Sequence, residues 1–363
     1  MTQKVGFQQK LRRCSANTAV LLVLCVALGA LGVAARAQQT PTPTWTGDTA
    51  LAAQLQPILA AHHGKVALYA VQLNTGKTVG LDQDRLVKTA SDIKLAMLYE
   101  AMVEVREGKA KWDEKLTLKP GDPVSGSGIL TFFDTPLTLT LKDALTFMVI
   151  LSDNTATNMA IDRFGVDAVN NRMKSLGLGN TYLYKKVMKP ATGPMPADQP
   201  KFGLGKSTPY EMATLMTRIG RCQLHPDKPR ETPVPPASSE GFASPDEQDL
   251  AVCKVALNML KNQFYRETIP RYLEKIDSSE TGSAIASKTG SLNAERSDVA
   301  IVAGKTGPMV LAIFTYDNAD HGWTVDNEGE MTIAKLAEVI VKDWSPTGID
   351  GKTLVPGLEL PEK

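Results

Sequence analysis

The feature that most constrains the fold is the position of the strand-like apolar runs, which lie near both ends of the chain. One run covers residues 66–73 and ends in an Asn-Thr-Gly-Lys turn, and three more cover residues 284–287, 299–303 and 309–316. Such runs beside turn residues predict strands, and helical patterns lie between them. We therefore expect an α+β fold in which one antiparallel sheet is built from both chain termini, with flanking helices and an all-helical subdomain.

Helical spacing of apolar residues predicts the elements between the strands. The stretch from Ser91 to Arg106 is apolar on most sides, which is typical of a buried helix. Residues 141–164 give two helical stretches with a break near Ser152. Further helices are expected at residues 48–63, 210–221, 250–263 and 331–343. We expect a catalytic domain at 48–343 with a Pro-rich insertion at 222–253, followed by an irregular tail at 344–363.

Composition argues against a charged macromolecule as the main partner. The 363 residues carry a formal net charge of +1, and only 6% of them are aromatic. A nearly neutral chain has no net electrostatic attraction for nucleic acid or an anionic membrane, and few aromatic residues are available for base stacking. We expect no nucleic-acid partner and a monomeric protein.

The first residues have the pattern of an export signal. A basic start is followed by an apolar run from Thr18 to Ala34 and by the small-residue triplet Ala35-Arg36-Ala37. This order predicts a signal peptide at residues 1–37 that is cleaved after Ala37, and a periplasmic or secreted protein without a stable membrane anchor. The alternative is an uncleaved anchor, because the apolar run approaches the length of a membrane span. Residues 38–47 are rich in Thr and Pro and are expected to be flexible.

Two cysteines remain after the predicted cleavage. Cys14 and Cys25 belong to the signal, whereas Cys222 and Cys253 flank the Pro-rich insertion. In an oxidising compartment, an even pair of this kind predicts a disulfide that closes the base of the insertion. The alternative is two free, buried thiols.

Ser91 and Lys94 form the first candidate catalytic pair. Residues three apart on a helix share a face, and the helix N-terminus offers free N–H groups to a developing oxyanion. A lysine in a buried helix loses hydration, which lowers its pKa and lets it act as a base. The alternative is an N-cap serine followed by an ordinary lysine.

Two further motifs carry groups suited to the same chemistry. Ser152-Asp153-Asn154 lies at the predicted helix break, where a hydroxyl can relay a proton and an amide can bind a substrate amide. Lys288-Thr289-Gly290-Ser291 offers a cation and two hydroxyls for a substrate carboxylate, and its glycine permits a close approach of the backbone. A second Lys-Thr-Gly at 305–307 is followed by a proline and predicts a hairpin turn.

In this chain order the three motifs are the signature of class A β-lactamases and penicillin-binding proteins, and the sequence resembles the class A β-lactamase family. The resemblance extends from the helix near Leu51 to the helix near Val341 and includes Ser207-Thr208-Pro209. It implies a β-lactamase/transpeptidase-like fold, β-lactam or cell-wall peptide substrates, and neither a metal nor an organic cofactor. It also implies the following roles: Ser91 as nucleophile, Lys94 as base or proton relay, Ser152 as proton donor to the leaving nitrogen, Asn154 as ligand of the acylamido group, Lys288, Thr289 and Ser291 as ligands of the carboxylate, and the N–H groups of Ser91 and Ser291 as the oxyanion hole.

The sequence departs from the family pattern in the loop that supplies the deacylating base. Class A enzymes hold the hydrolytic water with an Ω-loop glutamate, but no glutamate occurs between Thr155 and Lys206. Asp162 and Asp167 are assigned to a helix and the turn after it, which leaves Asp198 as the candidate base. We expect a β-lactam-hydrolysing enzyme, associated with antibiotic resistance, that acylates readily and either deacylates slowly or uses another base. The alternatives are a D,D-peptidase, a non-catalytic β-lactam sensor, and an esterase.

Overall fold

The computed structural model describes residues 43–225, 245–279 and 284–354. The predicted signal peptide, its cleavage position after Ala37 and most of the Pro-rich insertion lie outside the described residues. Within the described ranges, no helix combines the length and the apolar composition that crossing a membrane requires.

A six-stranded antiparallel sheet joins the two ends of the chain. The strands are β1 (Trp45–Gly47), β2 (Lys65–Gln72), β3 (Thr78–Leu81), β4 (Val87–Lys88), β5 (Lys115–Leu118), β6 (Leu137–Thr140), β7 (Tyr182–Leu183), β8 (Gly205–Ser207), β9 (Ile285–Leu292), β10 (Glu295–Gly304) and β11 (Gly307–Tyr316). The order in the large sheet is β1-β3-β2-β11-β10-β9. Strand β2 pairs with β11, with Leu68 opposite Ile313, so the sheet predicted from both termini is confirmed.

The helices lie between and around these strands. They are α1 (Thr49–Ala60), α2 (Lys94–Arg106), α3 (Leu141–Ile150), α4 (Asn154–Phe164), α5 (Val166–Ser175), α6 (Gln199–Phe202), α7 (Pro209–Gly220), α8 (Glu247–Lys261) and α9 (Glu328–Trp344). In α2, ten of the thirteen residues are buried, which confirms the all-round apolar pattern. Helix α2 contacts α4, α5, α7 and α8, and α7 and α9 pack against the large sheet.

Several helices begin where side chains satisfy the free N–H groups of the first turn. The Asp48 carboxylate accepts hydrogen bonds from the first turn of α1. Thr140 and Asp143 form a capping box at α3, in which each side chain binds the backbone N–H of the other residue. Thr208 caps α7, and Pro209 occupies its first turn, where a missing N–H has no cost.

Two segments expected to be irregular carry regular structure. Strand β1 pairs with β3, and its approach is fixed by the Thr44 N–H, which donates to Asp82 Oδ1 at 2.8 Å. At the other end, Ile349 is fully buried and forms bridges with Asp277 and Gly304. Short segments without periodicity gain structure here because the sheet edge and the core supply partners that the local sequence does not reveal.

The predicted Cys222–Cys253 disulfide is not formed, and both residues are free, buried thiols that are not at disulfide distance. Cys222 follows α7 with a left-handed φ of 56°. The Cys253 thiol donates to the carbonyl oxygen of Ile219 at 3.6 Å. Burial raises the pKa of Cys253 well above its usual value, so this sulfur remains a protonated, unreactive group in the core.

Candidate active site

Ser91 lies on a short 3₁₀ turn, Ala90–Ile93, that leads directly into α2. Ala90 adopts a left-handed φ of 45°, an uncommon conformation for a residue with a side chain. Ser91 is partly exposed, whereas the next three residues are buried. The turn therefore presents the Ser91 hydroxyl at the surface and sends Lys94 into the interior.

Lys94 is fully buried, and its amino group is bound by the Ser152-Asp153-Asn154 motif. Its Nζ donates to the Ser152 carbonyl oxygen at 2.6 Å, to Ser152 Oγ at 3.1 Å and to Asn154 Oδ1 at 3.2 Å. Burial, and then the positive charge of Lys288, lower the pKa of Lys94 well below its usual value. A neutral amine in this position has a lone pair that can accept a proton.

The three sequence motifs meet at the hydroxyl of Ser152. Besides Lys94, Lys288 donates to Ser152 Oγ at 3.1 Å. Ser152 has a left-handed φ of 52° at the break between α3 and α4. This conformation directs the hydroxyl between two buried lysines, where it can pass a proton.

Asp153 holds the loop beside this hydroxyl. Its Oδ2 accepts hydrogen bonds from the N–H groups of Ile129 and Leu130, at 2.7 and 2.9 Å. Its Oδ1 accepts from Ala156 at 2.9 Å and so caps α4. A Cβ on Gly128 would lie 2.2 Å from the Asp153 carboxyl group, so only glycine fits there.

Replacing Asp153 with alanine is expected to lower the free energy of unfolding by about 3 kcal/mol, because three N–H groups lose a charged, buried acceptor. Urea denaturation measures this change. The matched control is Asp122→Ala. Asp122 is an exposed aspartate whose side chain accepts a backbone hydrogen bond from the Lys119 N–H. Equal losses of stability for the two variants would contradict the assignment.

The Lys288-Thr289-Gly290-Ser291 motif lies on β9, and the Lys288 side chain contacts Ser152. Lys288 is fully buried, and its Nζ also donates to the Thr289 carbonyl oxygen at 2.7 Å. Burial lowers the pKa of Lys288 to about 8. A Cβ on Gly290 would lie 2.6 Å from the carbonyl oxygen of Thr89, so this glycine allows β9 to approach the turn that carries Ser91. The second Lys-Thr-Gly forms the β10–β11 hairpin turn, as predicted.

Two buried acids beside Lys288 were not singled out as functional from the sequence. Asp92 is fully buried, and neither of its carboxyl oxygens has a hydrogen-bond partner among the described residues. Burial raises its pKa well above the usual value, which favours the neutral acid. Asp298 accepts from Thr268 Oγ1 at 2.7 Å, and burial raises its pKa to about 6. The signal in the sequence for Asp92 was an acidic residue within the S-x-x-K motif, next to a largely apolar helix.

Asp198, the candidate deacylation base, is engaged by two neighbours. Its Oδ1 accepts from the Tyr184 hydroxyl at 2.8 Å, and its Oδ2 accepts from Lys206 Nζ at 2.6 Å. The hydrogen bond from Lys206 is the main cause of a lowered pKa for Asp198. A carboxylate stabilised in its charged form is a weak base, so these contacts argue against a role in deacylation.

The loop before Asp198 is attached to α4 through Asn158. The Asn158 amide donates to the Val187 carbonyl oxygen at 3.0 Å and accepts from the Val187 N–H at 2.8 Å. Asn158 lies one helical turn beyond Asn154, the residue that contacts Lys94. An apolar valine thus occupies the loop position that Asn158 binds, one helical turn along α4 from Asn154.

The guanidinium group of Arg296 is bound by neighbouring side-chain and backbone groups of the protein. Its side chain is fully buried, and its Nε pairs with Glu330 at 3.0 Å, while the rest of the guanidinium donates to backbone carbonyl oxygens. The guanidinium stacks on the Trp323 ring at 4.7 Å. These contacts occupy much of its donor capacity and give Arg296 a structural role beside Ser291, its cross-strand partner.

Comparisons with known proteins agree with this geometry. The sequence matches the model of the "Beta-lactamase enzyme family" over residues 50–232 and 248–344. A β-lactamase from Sphaerobacter thermophilus is similar in structure, with 27% identity, a TM-score of 0.63, and coverage of 82% of this chain and 97% of that one. Comparison with curated protein sequences gives no match.

Two further solved structures are similar in fold. A leucine-to-glutamate variant of PBP-A, described as an acyl-enzyme complex with penicillin G, has 22% identity and a TM-score of 0.63, covering 82% of this chain and 97% of that one. An ancestral class A β-lactamase has 17% identity and a TM-score of 0.62, covering 81% of this chain and 99% of that one.

Proposed function

Because the chain belongs to the Beta-lactamase enzyme family, we propose that it is an exported serine hydrolase that opens β-lactam rings through an acyl-enzyme on Ser91. The observation that carries the proposal is the convergence of Lys94 and Lys288 on Ser152 Oγ, both at 3.1 Å. Both lysines thus share one hydroxyl that can pass a proton, and Lys94 follows Ser91 by three residues at the start of α2. The basic and apolar N-terminal pattern supports export to the periplasm or beyond.

In the proposed acylation, the Ser91 oxygen attacks the lactam carbonyl while Lys94 accepts the hydroxyl proton. The N–H groups of Ser91 and Ser291 stabilise the oxyanion, a contribution of about 10²–10³ in rate for one such donor. The proton then passes through Ser152 to the lactam nitrogen as the C–N bond breaks. Lys288, in its charged form, attracts the substrate carboxylate, and Asn154 binds the acylamido group.

We propose that the second step, hydrolysis of the acyl-enzyme, is slow. Of the three carboxylates between residues 155 and 206, Asp198 is paired with Lys206, Asp162 is paired with Lys186, and Asp167 is exposed in the first turn of α5. The loop position bound by Asn158 is Val187, which cannot activate a water. An acyl group on Ser91 therefore lacks the strong general base that class A enzymes use.

Intact-mass measurements on the mature protein test this function. Mixing with benzylpenicillin is expected to add the mass of the antibiotic within seconds to minutes and to keep it for much longer. Ser91→Ala should give no adduct, whereas the control Ser175→Ala, on an exposed surface of α5, should behave as the parent. An adduct that decays as fast as it forms would contradict slow deacylation, and no adduct at all would contradict the β-lactam assignment.

A D,D-peptidase is the second candidate function. It is favoured by the same missing glutamate and by the structural similarity to PBP-A. Such an enzyme would use Ser91 on a cell-wall peptide and would be blocked by β-lactams. Release of D-alanine from a peptide ending in D-Ala-D-Ala, at a rate above that of β-lactam turnover, would favour this candidate. A persistent adduct without peptidase activity would favour a sensor.

The charge of Lys288 predicts a pH dependence of acylation. Its lowered pKa means that the cation, which dominates below pH about 8, is lost above that value. The second-order acylation rate for a penicillin carboxylate is therefore expected to fall as the pH rises through about 8. The methyl ester of the same penicillin has no charge for Lys288 to attract and should lack this decrease. An identical alkaline decrease for acid and ester would contradict the role of Lys288.

A further inference from the structure

A cavity of about 340 Å³ lies between α4, β5 with the segment that follows it, and the loop that carries Val187. The described residues that line this cavity do not include Ser91, Lys94, Ser152 or Lys288. A volume of this size is at the lower end of the range for small-molecule sites in proteins. The proposed β-lactam chemistry makes no use of the cavity, so it is a candidate for a second, separate binding site.

The walls of the cavity are attached to α4 and to each other. The Thr155 hydroxyl accepts a hydrogen bond from the Val124 N–H at 3.0 Å, which binds the segment after β5 to the first turn of α4. The Asn158 amide binds the other loop through both its nitrogen and its oxygen. Lys189 Nζ donates to the Gly121 carbonyl oxygen at 3.3 Å and so joins the two walls. The cavity is therefore enclosed by segments that are bound together in the fold.

The side chains that line the cavity carry an excess of positive charge. Five of them are cationic and two are carboxylates: Lys115, Lys119, Arg163, Lys186 and Lys189, against Asp122 and Asp162. The chain as a whole has 40 basic and 39 acidic residues, a net charge of +1. The excess of positive charge at the cavity is therefore a local concentration, since the chain as a whole is nearly neutral.

Two of these cations are already neutralised within the protein. The Arg163 guanidinium pairs with Glu114 and, at 3.3 Å, with Glu104. Lys186 forms an ion pair with Asp162. A guanidinium is the group best suited to bind a carboxylate through two parallel hydrogen bonds, and this one is engaged by glutamates of the protein itself. Among the described lining residues, the positive charge that remains for a ligand is therefore carried by lysines.

Lys115, Lys119 and Lys189 carry this remaining charge. In the part of the chain that the structure describes, none of their amino groups lies within ion-pair distance of a carboxylate. Lys189 donates to a backbone carbonyl oxygen, and Asp122 accepts from the backbone N–H of Lys119. Three lysines thus face one remaining lining carboxylate. Cations gathered around a concave surface repel one another and create a positive local potential, which a bound anion would neutralise.

We propose that this cavity binds a compact, multiply charged anion of the oligophosphate class, such as pyrophosphate or tripolyphosphate. Lysine is a point charge that binds phosphate without a fixed orientation, whereas selective binding of a planar carboxylate is favoured by a free arginine. Three lysines gathered in one cavity suit an anion that carries several negative charges. The site is separate from the Ser91 chemistry, and the proposal stands whether or not the protein reacts with β-lactams.

Titration calorimetry with tripolyphosphate at low ionic strength tests the site. The parent protein is expected to bind one equivalent, and the affinity should decrease as added salt screens the lysines. The double variant Lys119→Gln/Lys189→Gln should bind about tenfold more weakly, since each exposed charge contributes up to about fivefold to such an interaction. The matched control Lys254→Gln/Lys305→Gln removes two exposed lysines outside the cavity and should bind within about twofold of the parent.

Three results would overturn the site. The first is the absence of saturable binding to the parent protein. The second is an equal loss of affinity in both double variants, which would indicate diffuse attraction to basic residues. The third is a loss of binding in Lys288→Met together with intact binding in Lys119→Gln/Lys189→Gln, which would assign the anion to the candidate active site.

Two further ligands test the chemical class. Citrate carries a charge comparable to that of pyrophosphate on carboxylates and is expected to bind severalfold more weakly, and equal affinities would overturn the assignment to phosphates. Adenosine diphosphate carries its two phosphates in esterified form. Weaker binding of this ester than of pyrophosphate would support a free oligophosphate as the ligand, whereas equal binding would support a phosphate group carried by a larger molecule.

Discussion

Replacing Lys94 with methionine is expected to slow the acylation of Ser91 by penicillin about 10²–10⁴-fold, the range over which a positioned general base contributes. The amine is fully buried, its pKa is lowered by burial and by Lys288, and its hydrogen bonds go to the Ser152–Asn154 segment. Methionine fills a similar volume but has no basic nitrogen to accept the proton. The acylation rate constant, measured by rapid-quench mass spectrometry, gives the effect directly.

The control for this variant is Lys174→Met, because Lys174 is exposed on α5. Its acylation rate is expected to match that of the parent. Urea denaturation of Lys94→Met should show that the variant is folded, since exchanging a buried lysine for an apolar residue of similar size removes a desolvation cost. A folded variant that still acylates within threefold of the parent would exclude Lys94 as the base.

Replacing Val187 with glutamate is expected to accelerate hydrolysis of the acyl-enzyme about 10²–10⁴-fold while leaving acylation within an order of magnitude. The Val187 backbone is bound on both sides by Asn158, one helical turn from the Asn154 that contacts Lys94. A carboxylate introduced there would stand beside the catalytic groups, where it can activate a water. The decay rate of the penicillin adduct measures the gain.

Met188→Glu is the matched control, since it adds the same charge to the adjacent, exposed residue. We expect little change in its decay rate. A persistent adduct in Val187→Glu, with acylation intact, would mean that the absent glutamate is not what limits turnover. Equal acceleration in both variants would indicate a general effect of negative charge on the loop.

The sequence was sufficient to predict the architecture because the relevant patterns are local. The runs that form β2, β10 and β11 are each a continuous apolar stretch beside turn residues, which can be recognised in the local sequence. The three sequence motifs of the candidate site could be assigned to secondary-structure elements for the same reason. Their convergence on Ser152 Oγ follows once β9 and the start of α2 are adjacent.

Other features depend on contacts that no local pattern contains. The pairing of β1 with β3 joins short segments whose residues have no clear periodicity. The distance between Cys222 and Cys253, which leaves both thiols free, is not determined by residue type and spacing. The unpaired acid of Asp92 is visible only when the packing of its turn against β9 and β10 is known.

The pairing of β2 with β11 has a consequence for the timing of activity during synthesis. The ribosome makes Ser91 and Lys94 early, whereas Lys288 and the strand that closes the sheet are made near the end, at residues 288 and 307–316. Contacts between such distant parts of a chain form late and slowly in folding. A nascent or truncated chain therefore has Ser91 without Lys288 and Ser291, and under the proposed mechanism we expect acylation by penicillin to report complete folding.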